Sequence, residues 1–243
     1  MEIMFDTANL AEIERMAQIY PFAGVTSNPT ILKAAGKIDF FPHFRAIRRI
    51  IGPERSLHIQ VVARTADGMV TDAHRILEGV DPEVYIKIPV NEAGLQAIKQ
   101  LKGEGVRVTG TAIYSITQSL LAIAAGVDYL APYYNRMEAI DIDAPETIRT
   151  IADAIAADGA PTRILAASFK NVAQVTRCLR AGAHSVTLAP NLLRNAVAGA
   201  HIGAAVDRFN RDWQVTFGTQ EIPDPAAGDP IEQGLQGVLA AKG

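Results

Sequence analysis

Eight short runs rich in Val, Ile and Tyr recur along the chain, each followed by a longer stretch, most of helical period. The runs lie at 2–7 (EIMFDT), 22–27 (FAGVTS), 57–63 (LHIQVVA), 84–90 (VYIKIPV), 106–112 (VRVTGTA), 129–134 (YLAPYY), 162–168 (TRILAAS) and 185–189 (SVTLA). Each has strand length and composition. Helical period marks 9–19, 66–79, 92–103, 115–125, 145–157 and 171–181, with start signals such as Asn91-Glu92 and Asn171 and stop signals at Gly105 and Gly126. Strands alternating with helices require parallel βαβ units. Eight of them suit a closed barrel, since an open doubly wound sheet usually has about five or six strands. The expected fold is therefore α/β, a single (β/α)₈ TIM barrel over residues 1–218. Residues 219–243 are expected to form a tail or helical arm, their sequence Pro- and Gly-rich at first and amphipathic from Ile231 to Ala241.

Composition removes several function classes. The chain of 243 residues is 49% hydrophobic and 20% charged, ordinary for a globular protein. A formal net charge of −3 creates no general attraction for nucleic acid or an anionic membrane, so neither is an expected partner. Cys178 is the only cysteine, which excludes an internal disulfide and a thiolate metal centre. His43, His58, His74, His184 and His201 are scattered without metal-ligand spacing, so no metal is expected. The first residues lack a basic region and a long apolar run, and no apolar stretch reaches the roughly 20 residues of a membrane span. The expected compartment is the cytoplasm.

The polar residues at the strand ends carry the functional signal. Asp6-Thr7 close the first run, Thr26-Ser27-Asn28 the second, and Gln60 stands late in the third. Lys87 lies in the fourth, Thr109 and Thr111 end the fifth, Tyr133 to Arg136 the sixth, and Ser168 to Lys170 the seventh. In a barrel all these ends open on one face, where active sites are built.

Lys87 is the most informative. It sits among Val84, Tyr85, Ile86, Ile88, Pro89 and Val90, and an isolated ammonium there must be paired or lose its proton. A neutral lysine attacks a ketone to form a Schiff base. The bland alternative is a structural ion pair with a core carboxylate such as Asp6. Asp6 itself is suited to proton transfer near such a lysine, against the alternative of a helix N-cap. Arg136 and Ser168 suit a phosphate, through a forked guanidinium and a hydroxyl at a strand-to-helix turn; a surface ion pair is the alternative for Arg136. Glycines 103, 105 and 110 match neither a P-loop nor a dinucleotide fingerprint.

These strand ends resemble the transaldolase family, in particular its branch of small fructose-6-phosphate aldolases. The matching stretches are Phe5-Asp6-Thr7-Ala8, Gly24-Val25-Thr26-Ser27-Asn28-Pro29, Gln60-Val61, Ile86-Lys87-Ile88-Pro89-Val90, Gly110-Thr111-Ala112-Ile113-Tyr114, Ala131-Pro132-Tyr133 and Ala166-Ala167-Ser168-Phe169-Lys170. The resemblance runs in order from residue 2 to about 217. It implies that Lys87 is the Schiff-base lysine and Asp6 the acid/base, with Gln60, Thr111 and Tyr133 holding a catalytic water. It places Asn28, and Thr26 two residues before it, among the substrate-binding groups, and gives the phosphate to Arg136 and Ser168. It also implies a small-molecule sugar phosphate as substrate, no metal or organic cofactor, and a homo-oligomer, a pentamer or ring-shaped decamer.

Within that family, transaldolases tend to carry Glu where this chain has Gln60 and Phe where it has Tyr133. An amide and a phenol orient water to release free dihydroxyacetone, so the resemblance favours an aldolase that cleaves fructose 6-phosphate to dihydroxyacetone and glyceraldehyde 3-phosphate. The alternatives are a transaldolase moving dihydroxyacetone between sugar phosphates and a barrel that only binds sugar phosphate. Thr109, where an apolar residue is more usual, and Tyr134 depart from the branch.

Overall fold

The structure, a computed structural model, describes residues 1–224. The stretch Ile231 to Ala241 lies outside the described residues. Along the chain run β1 (Glu2–Asp6), α1 (Leu10–Ala17), β2 (Gly24–Thr26), α2 (Pro29–Ala34), α3 (Phe40–Ile51), β3 (Ser56–Gln60) and α4 (Ala66–Gly79). Next come β4 (Tyr85–Pro89), α5 (Glu92–Gly103), β5 (Val108–Ile113), α6 (Ile116–Ala124), β6 (Tyr129–Pro132), α7 (Tyr134–Glu138) and α8 (Ala144–Asp158). The described elements end with β7 (Arg163–Ala166), α9 (Val172–Arg180), β8 (Ser185–Leu188), α10 (Pro190–Val197) and α11 (Ala200–Phe217). The eight strands are parallel and close in sequence order, β1 pairing β8, which is the expected (β/α)₈ barrel.

Each strand alternates between a face toward the helices and a face into the barrel. Val25, Leu57, Ile59, Ile86, Ile88, Val108, Leu130, Ile164 and Val186 are buried against the helix ring. Complete burial of one such side chain contributes about 1.5–3 kcal/mol. Inside, Met4, Tyr129 and Leu165 form a second cluster with Tyr85 and Ala23 packed on it. Turns out of the strands end in residues that cap the next helix: Asn9, Asn28, Thr65, Asn91, Ser115 and Asn171 each accept a backbone N–H of the first turn.

Contacts divide the chain into two units, Met1–Ala196 and one beginning at Val197. Every candidate site residue falls in the first. In the second, α11 has no buried residue and is followed by Gly218, its C-cap, in a left-handed conformation. Ile202, Val206, Phe209, Val215 and Phe217 on it are exposed. Among the described residues no helix is long and apolar enough to cross a membrane.

Candidate active site

Lys87 is built into the middle of β4, paired in register with Gln60 on β3 and Thr109 on β5. The side chain is 3% exposed, and Nζ donates a 2.8 Å hydrogen bond to the Ser27 carbonyl at the end of β2. No carboxylate forms an ion pair with it among the described residues. Burial therefore pulls its pKa below the usual 10.5, and Asp6 only partly opposes the shift. The structural ion pair weighed from sequence is absent among the described residues.

Asp6 ends β1 and accepts a 2.7 Å hydrogen bond from the Thr26 hydroxyl, its register partner on β2. Burial raises its carboxyl above the ordinary 3.8, against lowering by Lys87 and by Thr26. The N-cap of α1 is Asn9, whose side chain accepts from Glu12 N–H. Asp6 is thereby free of a capping role. Thr26 itself lies buried behind Asp6, its oxygen 2.6 Å from the Thr187 hydroxyl. With its one proton given to an ionised Asp6, Thr26 accepts from Thr187. The residue thus supports Asp6 from below and does not line the cavity.

That cavity, about 120 Å³, is lined by Asp6, Asn28, Lys87, Tyr133, Arg136 and Ser168, with Thr30, Ile31 and Ala167 completing the wall. Asn28 caps α2 by accepting from Thr30 and Ile31 N–H through Oδ1, which leaves its amide nitrogen for the cavity. Tyr133 follows β6, and Thr111 Oγ1 donates to its phenol oxygen at 3.2 Å. Burial raises the Tyr133 phenol pKa, partly offset by Thr111 and by Arg136. Gln60 and Thr111 are not on the wall of that cavity; Gln60 lines another of about 560 Å³ with Pro29, Pro89, Asn91 and Arg64. Its Oε1 is buried and has no protein partner, so it retains a free acceptor.

Arg136 lies on α7, one turn beyond β6. Its guanidinium stacks over the Tyr133 ring at 4.7 Å and donates to the Tyr114 hydroxyl at 3.1 Å, and no ion pair involves it among the described residues. Ser168 follows β7 with φ of 65°, a left-handed conformation unusual for a residue with a side chain. Together they place one cation and one hydroxyl on the same cavity wall.

The two departures noted in the sequence resolve differently. Tyr134 is wholly buried and stacks on Phe169 at 5.5 Å, turned away from the cavity. Thr109 is buried beneath the site, its hydroxyl 2.8 Å from His58 Nδ1. His58 Nε2 lies 3.0 Å from the Ser56 hydroxyl, and the ring stacks on Tyr85 at 4.7 Å. Burial, the Lys87 charge and Arg48 depress its pKa well below 6.5. Among the described residues no cluster of three or more His, Cys, Asp or Glu side chains is placed to hold a metal ion.

Residues assigned no role from sequence also shape the site: Ser27, Tyr114, Thr187 and the two glutamines Gln118 and Gln174. The glutamines carried a readable signal, each standing three residues after a helix cap, at Ser115 and Asn171.

The family model described as transaldolase/fructose-6-phosphate aldolase matches residues 3–220 of the chain. A protein of Streptococcus pneumoniae (strain ATCC 700669 / Spain 23F-1) named "Probable fructose-6-phosphate aldolase" is 50% identical over 222 residues, 91% of this chain and 100% of that protein.

Proposed function

The chain belongs to the transaldolase/fructose-6-phosphate aldolase family, and on that premise we propose that it is a Schiff-base aldolase, cleaving fructose 6-phosphate to dihydroxyacetone and glyceraldehyde 3-phosphate. The observation that carries the reading is Lys87, a buried amine with no carboxylate ion pair among the described residues, which opens on a cavity shared with Asp6, Tyr133, Arg136 and Ser168.

The neutral amine adds to C2 of the open-chain ketose, and loss of water leaves the imine. Asp6 takes the proton of the C4 hydroxyl as the C3–C4 bond breaks, and the electron pair moves into the protonated imine to give the enamine. A carboxyl with a raised pKa both accepts that proton and returns it, here to C3. Glyceraldehyde 3-phosphate, held by Arg136 and Ser168 through its phosphate, departs. Gln60, Thr111 and Tyr133 then hold a water against the imine carbon. Its addition and collapse of the carbinolamine release dihydroxyacetone and restore the Lys87 amine. The free acceptor on Gln60 and the Thr111–Tyr133 hydrogen bond support that arrangement.

Free cleavage and transfer to an added aldehyde, measured side by side, test the reading. The protein is expected to cleave fructose 6-phosphate with no acceptor present. Tyr133→Phe is expected to slow hydrolysis by on the order of 10²-fold, so that transfer to erythrose 4-phosphate gains relative to release. Transfer much faster than cleavage in the unaltered protein would make it a transaldolase. A second copy of the chain is the partner we propose for α11, on the support of its exposed apolar side chains, giving a homo-oligomer.

A further inference from the structure

Two corners of the barrel are built alike. After Thr111, β5 shifts register and Ala112 adopts φ of 56°; after Ala167, Ser168 adopts φ of 65°. Three residues later a capping side chain, Ser115 or Asn171, accepts the N–H of a glutamine, Gln118 or Gln174. Each glutamine reaches back beyond the cap and accepts the preceding N–H, from Tyr114 at 2.9 Å or Lys170 at 2.7 Å. A capping box normally satisfies the cap's own N–H, so both reach one residue further than usual. A left-handed residue with a side chain costs about 1–3 kcal/mol and persists only where its surroundings fix it.

The two amides spend their remaining donors differently. Gln118 Nε2 donates to the carbonyls of Val90 and Ala112, binding β5 to the end of β4. Gln174 is 4% exposed, and its Nε2 donates to Asn135 Oδ1 at 2.9 Å and to Glu138 Oε2 at 2.6 Å. Asn135 and Glu138 flank Arg136 on α7. From the other side, Asn135 N–H donates to the Ser168 carbonyl at 3.0 Å. One buried amide therefore joins the segment carrying Ser168 to the helix carrying Arg136.

We propose that Gln174 is a positioning residue that holds Arg136 and Ser168 as one clamp for the phosphate of the substrate. The proposal rests on the sugar-phosphate reading of this cavity. Ser168 presents its hydroxyl from a backbone that needs fixing, and Arg136 stands on α7, a helix of only 5 residues. Without the tether the backbone bonds from Tyr134 N–H to Ala167 and from Asn135 N–H to Ser168 remain, but the side-chain brace that fixes the two donors against each other is lost, and a phosphate meets both less well. Lys87 and Asp6 stand on strands that Gln174 does not touch, so the three-carbon end of the substrate is unaffected.

The test compares glycerol 3-phosphate with glycerol by calorimetric titration, and traps the dihydroxyacetone imine with borohydride, in the unaltered protein and in Gln174 variants. Gln174→Met keeps the bulk and removes all three hydrogen bonds; it is expected to weaken glycerol 3-phosphate by about tenfold or more, as loss of well-placed charge-assisted contacts does. The yield of trapped imine is expected to stay unchanged. Gln174→Glu retains the acceptor for Lys170 N–H but sets a second carboxylate against Glu138, and is expected to weaken glycerol 3-phosphate similarly. Exchanging the pair, Gln174→Glu with Glu138→Gln, restores a donor and an acceptor and is expected to recover most of the affinity. Loss of imine trapping in proportion to phosphate affinity, unaltered affinity in Gln174→Met, or failure of the exchange to recover it would overturn the proposal, as would an unaltered protein that does not bind glycerol 3-phosphate. Binding that depends on Gln174 in a protein that does not cleave fructose 6-phosphate would leave the clamp standing and remove the aldolase reading.

Discussion

The barrel interior carries charge at both ends, and the two ends treat it in opposite ways. At the N-terminal end Glu2 accepts from Arg163 at 2.9 Å, from Tyr129 at 3.1 Å and from Ser185 at 3.1 Å. The carboxylate there is surrounded by donors. At the C-terminal end, among the described residues, Lys87 has a single carbonyl partner and Asp6 one hydroxyl. Both groups are pushed toward their neutral forms by burial. The same fold can satisfy an interior charge or leave it costly, and the costly end is the one where the proposed reactive groups stand. Satisfied ends hold a structure together; unsatisfied ends are where a group is held ready to react.

Lys87→Met gives the largest expected effect. Removing a covalent nucleophile costs on the order of 10⁶-fold in rate, and no imine forms for borohydride to trap. The same change is expected to raise stability near neutral pH, since an apolar side chain of similar volume in place of a buried charge contributes up to about 1–4 kcal/mol. The pH dependence follows from the depressed pKa. Below its folded pKa, Lys87 carries the full cost of a buried ammonium. Between that value and 10.5 the unfolded chain binds more protons, so stability rises with pH and the cost disappears above 10.5. Thermal melts of both proteins should thus show a Tm advantage for Lys87→Met that shrinks as pH rises toward 10.5. A lower Tm for Lys87→Met near neutrality would break the comparison.

Asp6→Asn comes next, with cleavage expected to slow by about 10²–10⁴-fold through loss of proton transfer. Here the folded pKa is raised, so the carboxyl is harmless below 3.8 and destabilising once pH passes its folded pKa. Melts near neutral pH should therefore favour Asp6→Asn, and the advantage should vanish as pH falls toward 3.8.

Arg163→Met at the opposite end has the smallest expected effect, and of the other kind. The Arg163 and Glu2 side chains are 39% and 26% exposed, so solvent screens their attraction and the loss is about 1 kcal/mol. Tm should fall by roughly 2–4 °C with cleavage rate per folded molecule unchanged. A large rate loss would show that the two ends are not independent.

Periodicity was sufficient for the barrel. All eight strands were legible, and α4 and α5 stand at the residues expected, since long amphipathic runs between clear caps leave little choice. The short helices α2 and α7 were not legible, because strand-end polar segments carry no period. Lys87 was legible as a lone ammonium in an apolar strand. The work of Thr26 was not, since the β1–β2 register decides that its hydroxyl meets Asp6, and register is a tertiary fact. Nor was the turn at Ala112: alanine has no preference for positive φ, and only the closing of the barrel around Gly110 and Ile113 imposes it. Tyr134 stood beside Tyr133 in sequence, yet the start of α7 sends the two rings to opposite sides.

The filled layer of Met4, His58, Thr109 and Leu165 under Lys87 makes the barrel a blind alley. For the proposed reaction, the cavity that Lys87 shares with Asp6, Tyr133, Arg136 and Ser168 is then both the doorway in and the doorway out. A three-carbon fragment bonded to Lys87 as proposed would be parked at the closed end, with the aldehyde between it and the street. Traffic then has a fixed sequence in each direction. On that reading the aldehyde would clear the doorway in cleavage before water works on what remains, and in synthesis dihydroxyacetone would be seated before the aldehyde comes in behind it.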